Sequence, residues 1–520
     1  MLKITQIKCA PGEKLSTEHI ARKLHCRPDE IRSFEIERES IDARRDELFF
    51  TYSVLADLRN EEPYLRRKDV VRGEKYVYPM PAVKNRPAER PVIAGFGPAG
   101  MFAALLLAES CLKPIVIERG KPVEERSRDV DRYFRDGTLD PESNVQYGEG
   151  GAGTFSDGKL TTRIKDGRIH KVLSELIEAG APAEIAYQAR PHLGTDRLRV
   201  IVKNIREKII SLGGEVRFAT RLDDIEIKDG RLSALRSEDE RIACSAAILC
   251  LGHSASDTYE KLLARGVDMI PKDFAAGVRV EHPQELINQC QYGAYASHPA
   301  LSAASYSLTY RSSCGRGVYS FCMCPGGVVI PAATMVESLA VNGMSYSGRD
   351  GKNANSAILV QIPQKDFYRG SVMDGFAFQK ELEKKAWRDQ TKAPAQNIRD
   401  YLNRQKSGQW VLDSTYPLGV VSVEMHSLFS EEAGMSLAEG FADFDRRIPG
   451  FVNTGIMVGM ESRSSSPIRM PRNADGQALS CQGLFPCGEG AGYAGGIISS
   501  AVDGIRQAEN LIAFLNASEL

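Results

Sequence analysis

The stretch Val92-Ile93-Ala94-Gly95-Phe96-Gly97-Pro98-Ala99-Gly100-Met101 runs on as an apolar segment to Ala108, then reaches Pro114-Ile115-Val116-Ile117-Glu118. A strand-length apolar run thus ends in G-x-G-x-x-G, a helix-length run follows, and a second strand ends on an acid 23 residues after Gly95. Each residue type has a physical duty at its place. Gly95 permits the tight turn, Gly97 lets the backbone approach a pyrophosphate, and Gly100 lets helix and strand pack closely. The N-terminus of the helix that starts at Pro98 offers free N–H groups, from Ala99 on, and a positive dipole end to phosphates. Glu118 is placed to accept from ribose hydroxyls and would repel a 2′-phosphate, the adjacent Arg119 notwithstanding. Strand, turn, helix, strand and acid in this order predict an α/β, Rossmann-type nucleotide-binding domain.

Working outward, 520 residues exceed what one hydrophobic core usually supports, so two or three domains are expected. Residues 1–80 read as a small α+β domain: a strand with Ile4 and Ile7, a helix after Ser16, and period-two strands around Ile31–Ile41 and Leu48–Leu55. The proline-rich residues 81–91 read as a linker. Residues 92–270 form the first part of the nucleotide domain, 271–450 an inserted α+β substrate or cap domain, and 451–520 the closing part. A helix is expected over Gln379–Asn403.

The 67 basic and 68 acidic residues leave a net charge of -1, which gives no bulk electrostatic reason to expect nucleic acid or a membrane. Pro91–Ala108 could pass for a membrane span, but its glycines favour a buried turn and helix, so no integral membrane association is expected. The start lacks a signal-peptide core, and eleven cysteines without regular spacing fit reduced thiols. A cytoplasmic address is the expectation.

A second glycine-rich element lies near the far end: Cys487-Gly488-Glu489-Gly490-Ala491-Gly492, then Gly495-Gly496-Ile497 opening a helix. It resembles the closing element of glutathione-reductase-type FAD enzymes, with Glu489 for the usual Asp. The resemblance implies that Glu489 binds the ribityl chain and that the helix N-terminus faces the flavin. Ala247–Gly252 resembles the apolar strand ending in A-T-G of the same families, with Cys250 and Leu251 replacing the small pair. Gly148–Leu160, His192–Asp196, Phe321–Gly327, Asn342–Ser345, Arg469 and the N-terminal Arg32–Arg44 are together similar to a bacterial FAD-utilising dehydrogenase family. That resemblance implies FAD. No second G-x-G-x-x-G has its own strand and acid, so NADH or NADPH enters only as a transient electron donor.

The cofactor-binding candidates are Gly95, Gly97, Pro98, Ala99, Gly100, Glu118, Arg119, Arg126, Lys159, Leu222, Gly252, Gly488, Glu489, Gly496 and Ile497. Gly150–Gly153 with Ser156 and Lys159 read as a second anion-receiving loop or as a structural turn. Cys322 and Cys324 are the catalytic candidates. On a strand both thiols project from one face, as a redox-active or substrate-engaging pair or as two small buried hydrophobes, and a disulfide at this spacing would be strained. No zinc site is expected, because no histidine has ligand spacing with them. His192 and Glu281-His282 are acid–base candidates, while Arg463 and Arg469 are candidates to hold an anionic substrate. The expected function is an FAD-dependent oxidoreductase, a dehydrogenase or reductase acting on a small-molecule substrate. The alternatives are a flavin-binding redox sensor that uses residues 1–80 to meet a partner and, weakest, an RNA-modifying flavoprotein. The sequence leaves the oligomeric state open.

Overall fold

The computed structural model describes residues 1–42, 47–388 and 391–517. Ala43 and Arg44, the last of the N-terminal residues quoted above, lie outside the described residues. The first unit is an antiparallel sheet ordered Ile31–Asp42, Phe49–Leu58, Leu2–Cys9, Val70–Arg72. Ile20 and Leu24 of the helix Thr17–Leu24 are buried in one core with Ile4 and Val54. Residues 73–91 form neither helix nor strand and are pinned to the last helix. Tyr78 donates to Glu509 at 2.5 Å, and the Lys84 amide donates to Asn516 at 2.7 Å.

Five parallel strands make the next layer, ordered Leu484–Pro486, Ala247–Leu249, Val92–Ala94, Ile115–Ile117, Glu215–Arg217. From Val92–Ala94 the chain fills one side with the next two strands and later returns to fill the other. The strand order therefore reverses at Val92–Ala94, and the crevice beyond the carboxyl end of such a strand is where open α/β sheets bind ligands. Gly95 stands at that end. The helix Pro98–Glu109 is buried from Ala99 to Ala108, between the sheet and the closing helix Ile497–Ala517. A helix covered all round needs apolar residues all round, which accounts for the hydrophobic run at 101–108. Among the described residues no helix is long and apolar enough to cross a membrane.

The central unit is a seven-stranded sheet: Thr309–Arg311, Gly317–Cys324, Asn353–Ile362, Phe274–Pro283, Ile456–Glu461, Ala393–Asn397, Val420–Ser422. Two readings of the sequence change here. Ile456–Glu461 pairs with Phe274–Pro283 inside this sheet, so the central unit runs past residue 450 and carries Glu461 with it. Gln379–Asn403 is not one helix. Helix Asp374–Ala386 stops, Ala393–Asn397 forms a strand, and Ile398–Leu402 is a short helix. Pro394 is incompatible with one continuous helix over this span, since proline inside a helix removes a donor and clashes with the preceding turn. Asp389 and Gln390, within that span, lie outside the described residues.

Candidate cofactor and active site

The carboxyl end of the parallel sheet opens into a cavity of about 360 Å³, within a wider cleft open to solvent. That volume lies in the range of small-molecule and cofactor sites. Gly95, Gly97, Pro98 and Ala99 line one part of it. Gly95 has φ +100°, and a Cβ there would stand 2.3 Å from the Cys250 carbonyl oxygen. At Gly100 a Cβ would meet the Gly95 carbonyl oxygen at 1.9 Å. These two glycines are required by the protein's own packing. Gly97 is not: φ is −75°, and a Cβ would find only the Gly151 Cα, at 3.7 Å. Its openness leaves the turn bare toward the cavity.

Glu118 accepts three backbone N–H groups: Phe96 at 2.8 Å on Oε2, and Gly120 and Gly148 at 2.9 Å each on Oε1. The carboxylate therefore ties the glycine turn to the segment at 148. It keeps an acceptor position on Oε2. Arg119 lines the cavity, packs 3.9 Å from the Tyr147 ring centre, and is held by Glu142 and Asp257. Leu222 lines the cavity, its carbonyl accepting from Thr258 at 3.1 Å.

Arg126 does not line the cavity, contrary to its expected cofactor contact. It is fully buried and gives its guanidinium to the carbonyls of Asn144, Val145, Gly148 and Glu149. It shapes the segment that carries Tyr147 and Gly148 to the site. The loop after it, Gly151–Gly153 with Ser156 and Lys159, does line the cavity. Lys159 donates to the Met323 carbonyl and so ties this loop to the central sheet.

The far end is built by Gly252, Gly488, Glu489, Gly496 and Ile497. Asp503, paired with Arg472, accepts the Gly488 amide at 2.7 Å and fixes the turn. Gly252, Gly495 and Gly496 would each present a Cβ to open space. The closing helix starts at Ile497, aiming its N-terminal N–H groups at this end.

The sequence reading missed His253. It is 8% exposed, its Nδ1 lies 3.4 Å from Glu489, and its buried Nε2 has no hydrogen-bond partner among the described residues. Its position directly after Gly252, in the third glycine element, was the available signal. A buried, unpartnered nitrogen on a cavity wall is costly unless a ligand satisfies it. Together with the open glycines at 97, 252, 495 and 496, it makes the cavity fit a long, polar, phosphate-bearing group such as FAD.

The opposite wall holds Phe321, Cys322 and Glu461 of the central sheet, Arg463 and Ser464 just after it, and Asn342 of the separate two-stranded sheet Val328–Pro331 and Val341–Met344. Its organiser is Arg279, a second residue the sequence reading missed. Arg279 is fully buried and donates to Glu461 at 3.1 and 3.3 Å, to the Cys322 carbonyl at 2.6 Å, and to Asn342 at 3.0 Å. Burial pushes the Glu461 carboxyl up, and Arg279 opposes that shift. An arginine flanked by Val278 and Val280, after the apolar run Phe274–Gly277, was the signal for it.

The remaining chemical candidates separate clearly. Arg463 lines the cavity, but its guanidinium is taken by Glu383 and Thr334 at 2.7 Å each, so it is not free to hold a substrate anion. Arg469 does not line the cavity; it donates to the Gly492 carbonyl at 3.3 Å. His192 bonds the Ser347 carbonyl at 3.2 Å. His282 is fully buried against the Phe451 carbonyl, with burial pushing its pKa down to about 4. Glu281 accepts from Thr415 and Asn353. None of these three reaches the cavity, and all serve packing. Among the described residues no cluster of side chains could hold a metal ion.

Cys322 lines the cavity and Cys324 is buried behind it. The regular strand expected here is interrupted by a bulge between Phe321 and Cys324, with Cys322 in left-handed backbone at φ +42°.

One family model agrees with the flavin class over part of the chain. The model of the "FAD-dependent protein, C-terminal domain-like" family matches residues 273–464, and a domain of unknown function (DUF8436) matches residues 1–57. A protein of Clostridium beijerinckii named only as uncharacterised is 46% identical over 528 residues, covering 98% of both chains. The chain belongs to the same family as that clostridial protein, and its residues 273–464 match the FAD-dependent C-terminal domain model. Among solved structures, the flavin-dependent brominase Bmp2 is 11% identical with a TM-score of 0.38, covering 83% of this chain and 80% of that one. Glycine oxidase from Geobacillus kaustophilus is 10% identical with a TM-score of 0.34, covering 84% and 96%. Likeness at that level assigns no activity to this chain.

Proposed function

We propose that this chain is an FAD-dependent oxidoreductase, moving an electron pair between the flavin and a small-molecule substrate. The observation that carries the reading is one cavity lined jointly by the three glycine elements of the parallel sheet and by the Arg279-organised wall of the central sheet. In this reading the Gly97 turn and the helix start at Pro98 bind the pyrophosphate, where their N–H groups and dipole favour negative charge. The remaining acceptor position of Glu118 takes a ribose hydroxyl. His253 and Glu489 hold the ribityl end, and the N-terminus of the closing helix stabilises negative charge on the ring.

When bound, FAD supplies the two-electron chemistry, and the protein orients it and tunes its electrostatics. The central wall then excludes water from the side facing Cys322 and Asn342 and presents the substrate. Among the described residues there is no second parallel dinucleotide unit, so NADH or NADPH is assigned at most transient docking. An anaerobic titration of the holoprotein with NADH, NADPH and a panel of reduced small molecules tests the reading. Loss of the visible flavin band with one of them, and its return with an acceptor, is the expected result. A flavin that no small molecule reduces would overturn turnover and shift the role to a flavin-dependent sensor.

A further inference from the structure

We propose that Cys322 and Cys324 form a redox-active dithiol in the cavity wall, which exchanges an electron pair with the bound flavin. The inference rests on the FAD reading above. Its basis is the local backbone. Left-handed geometry at a residue with a side chain is unfavourable and persists only where the surroundings impose it. Here two cations do so. Arg279 donates to the carbonyl of Cys322 at 2.6 Å, and Lys159 donates to the carbonyl of Met323. The bulge departs from the extended spacing that would keep thiols two residues apart from joining. It leaves Cys322 at the cavity and Cys324 buried, with the Cys324 thiol donating to the Cys322 carbonyl at 3.3 Å.

The charges around the pair favour one thiolate. The neighbouring Cys324 thiol lowers the Cys322 pKa, and Arg279 and Lys159 lower it further against burial and Asp157. The Cys324 thiol is raised in consequence, so it keeps its proton. Asp157 is itself neutralised by Arg349, and Glu461 by Arg279. A thiolate beside a protonated thiol is the arrangement that forms a disulfide readily. The step balances: the Cys322 thiolate and Cys324 thiol join through a new S–S bond and lose two electrons and one proton. The flavin accepts both electrons and that proton. Reduced flavin returns them in the reverse direction.

Cys250 and Cys487 line the same cavity at the ends of adjacent parallel strands and are the second pair that cysteine mapping has to distinguish.

The test is anaerobic reduction of fully oxidised holoprotein with counted dithionite, paired with alkylation and mass mapping of each cysteine before and after. The expected uptake is two electron pairs per flavin, with a Cys322–Cys324 disulfide present only in the oxidised sample. Cys324→Ser should keep its flavin, drop to one pair, and show a long-wavelength absorbance from the Cys322 thiolate. Cys322→Ser should also drop to one pair, without that band. One pair in the wild type with both thiols alkylated throughout, or a disulfide at Cys250–Cys487 instead, would overturn the proposal. A protein that binds no FAD would fail the flavin reading, whereas a yellow protein with one electron pair fails this inference alone.

Discussion

On the parallel-sheet side much of the cavity lining is backbone, namely the bare turn at Gly97, the open glycines at 252, 495 and 496, and a helix start, beside side chains such as Glu118 and Glu489. On the central-sheet side it is lined by side chains, and one buried arginine holds Glu461, Asn342 and the Cys322 carbonyl together. A backbone wall offers the same N–H donors whatever the neighbouring side chains, so it suits a cofactor bound in one fixed pose. A side-chain wall built on a buried ion pair is sensitive to single changes and sets local charge. The first wall fits a cofactor, and the second fits the chemistry next to it.

The sharpest way to break this division is Arg279→Met. Removing one partner of a buried ion pair leaves Glu461 uncompensated, at a cost of about 3–5 kcal/mol. Urea unfolding should show that loss, and a variant as stable as wild type would mean the second wall does not depend on Arg279. Gly97→Val comes next. It should leave the stability of the FAD-free protein within about 0.5 kcal/mol of wild type, yet weaken FAD binding on the order of 100-fold, which is about 2.7 kcal/mol. Gly100→Ala is its counterpart and should do the reverse, losing about 1–3 kcal/mol of fold stability to overpacking. Equal effects from the two glycines would erase the distinction between a ligand-facing and a packing glycine. Glu489→Ala should weaken FAD binding about 5–10-fold through loss of a hydrogen bond of about 1 kcal/mol. The smallest effect concerns pH. With its pKa lowered by Cys324, Arg279 and Lys159, Cys322 should alkylate with a midpoint below the ordinary thiol value of about 8.5. Its reactivity is gained as pH rises through that lowered value and lost as pH falls through it. A midpoint at or above the ordinary value would contradict the charge arrangement around the bulge.

The same division explains how far the sequence could be read. The turn at Gly95–Gly100 and the acid at Glu118 are local: each residue's duty follows from its place between a strand and a helix. Gly488, Glu489 and Ile497 were legible for the same reason. Arg126 was misjudged because nothing local says whether a guanidinium faces a ligand or four carbonyls of its own chain. Arg279, Glu461 and Cys322 meet only when Phe274–Pro283 pairs with Ile456–Glu461 on one side and, through Asn353–Ile362, with Gly317–Cys324 on the other. The Arg279–Glu461 pair alone spans 182 residues in the chain. No spacing rule reaches that far, which is also why the boundary at 450 fell short of the strand that carries Glu461. The bulge at Cys322 was equally hidden, since it arises from cations on other elements rather than from a glycine in the strand itself.

The most direct test is the FAD content of the purified full-length chain after incubation with excess FAD and desalting, with the cofactor released by acid and identified by mass. The structure predicts a yellow protein retaining about one FAD per chain by the stoichiometry of a single dinucleotide site. A folded chain that keeps no flavin after that treatment would contradict the assignment of the cavity.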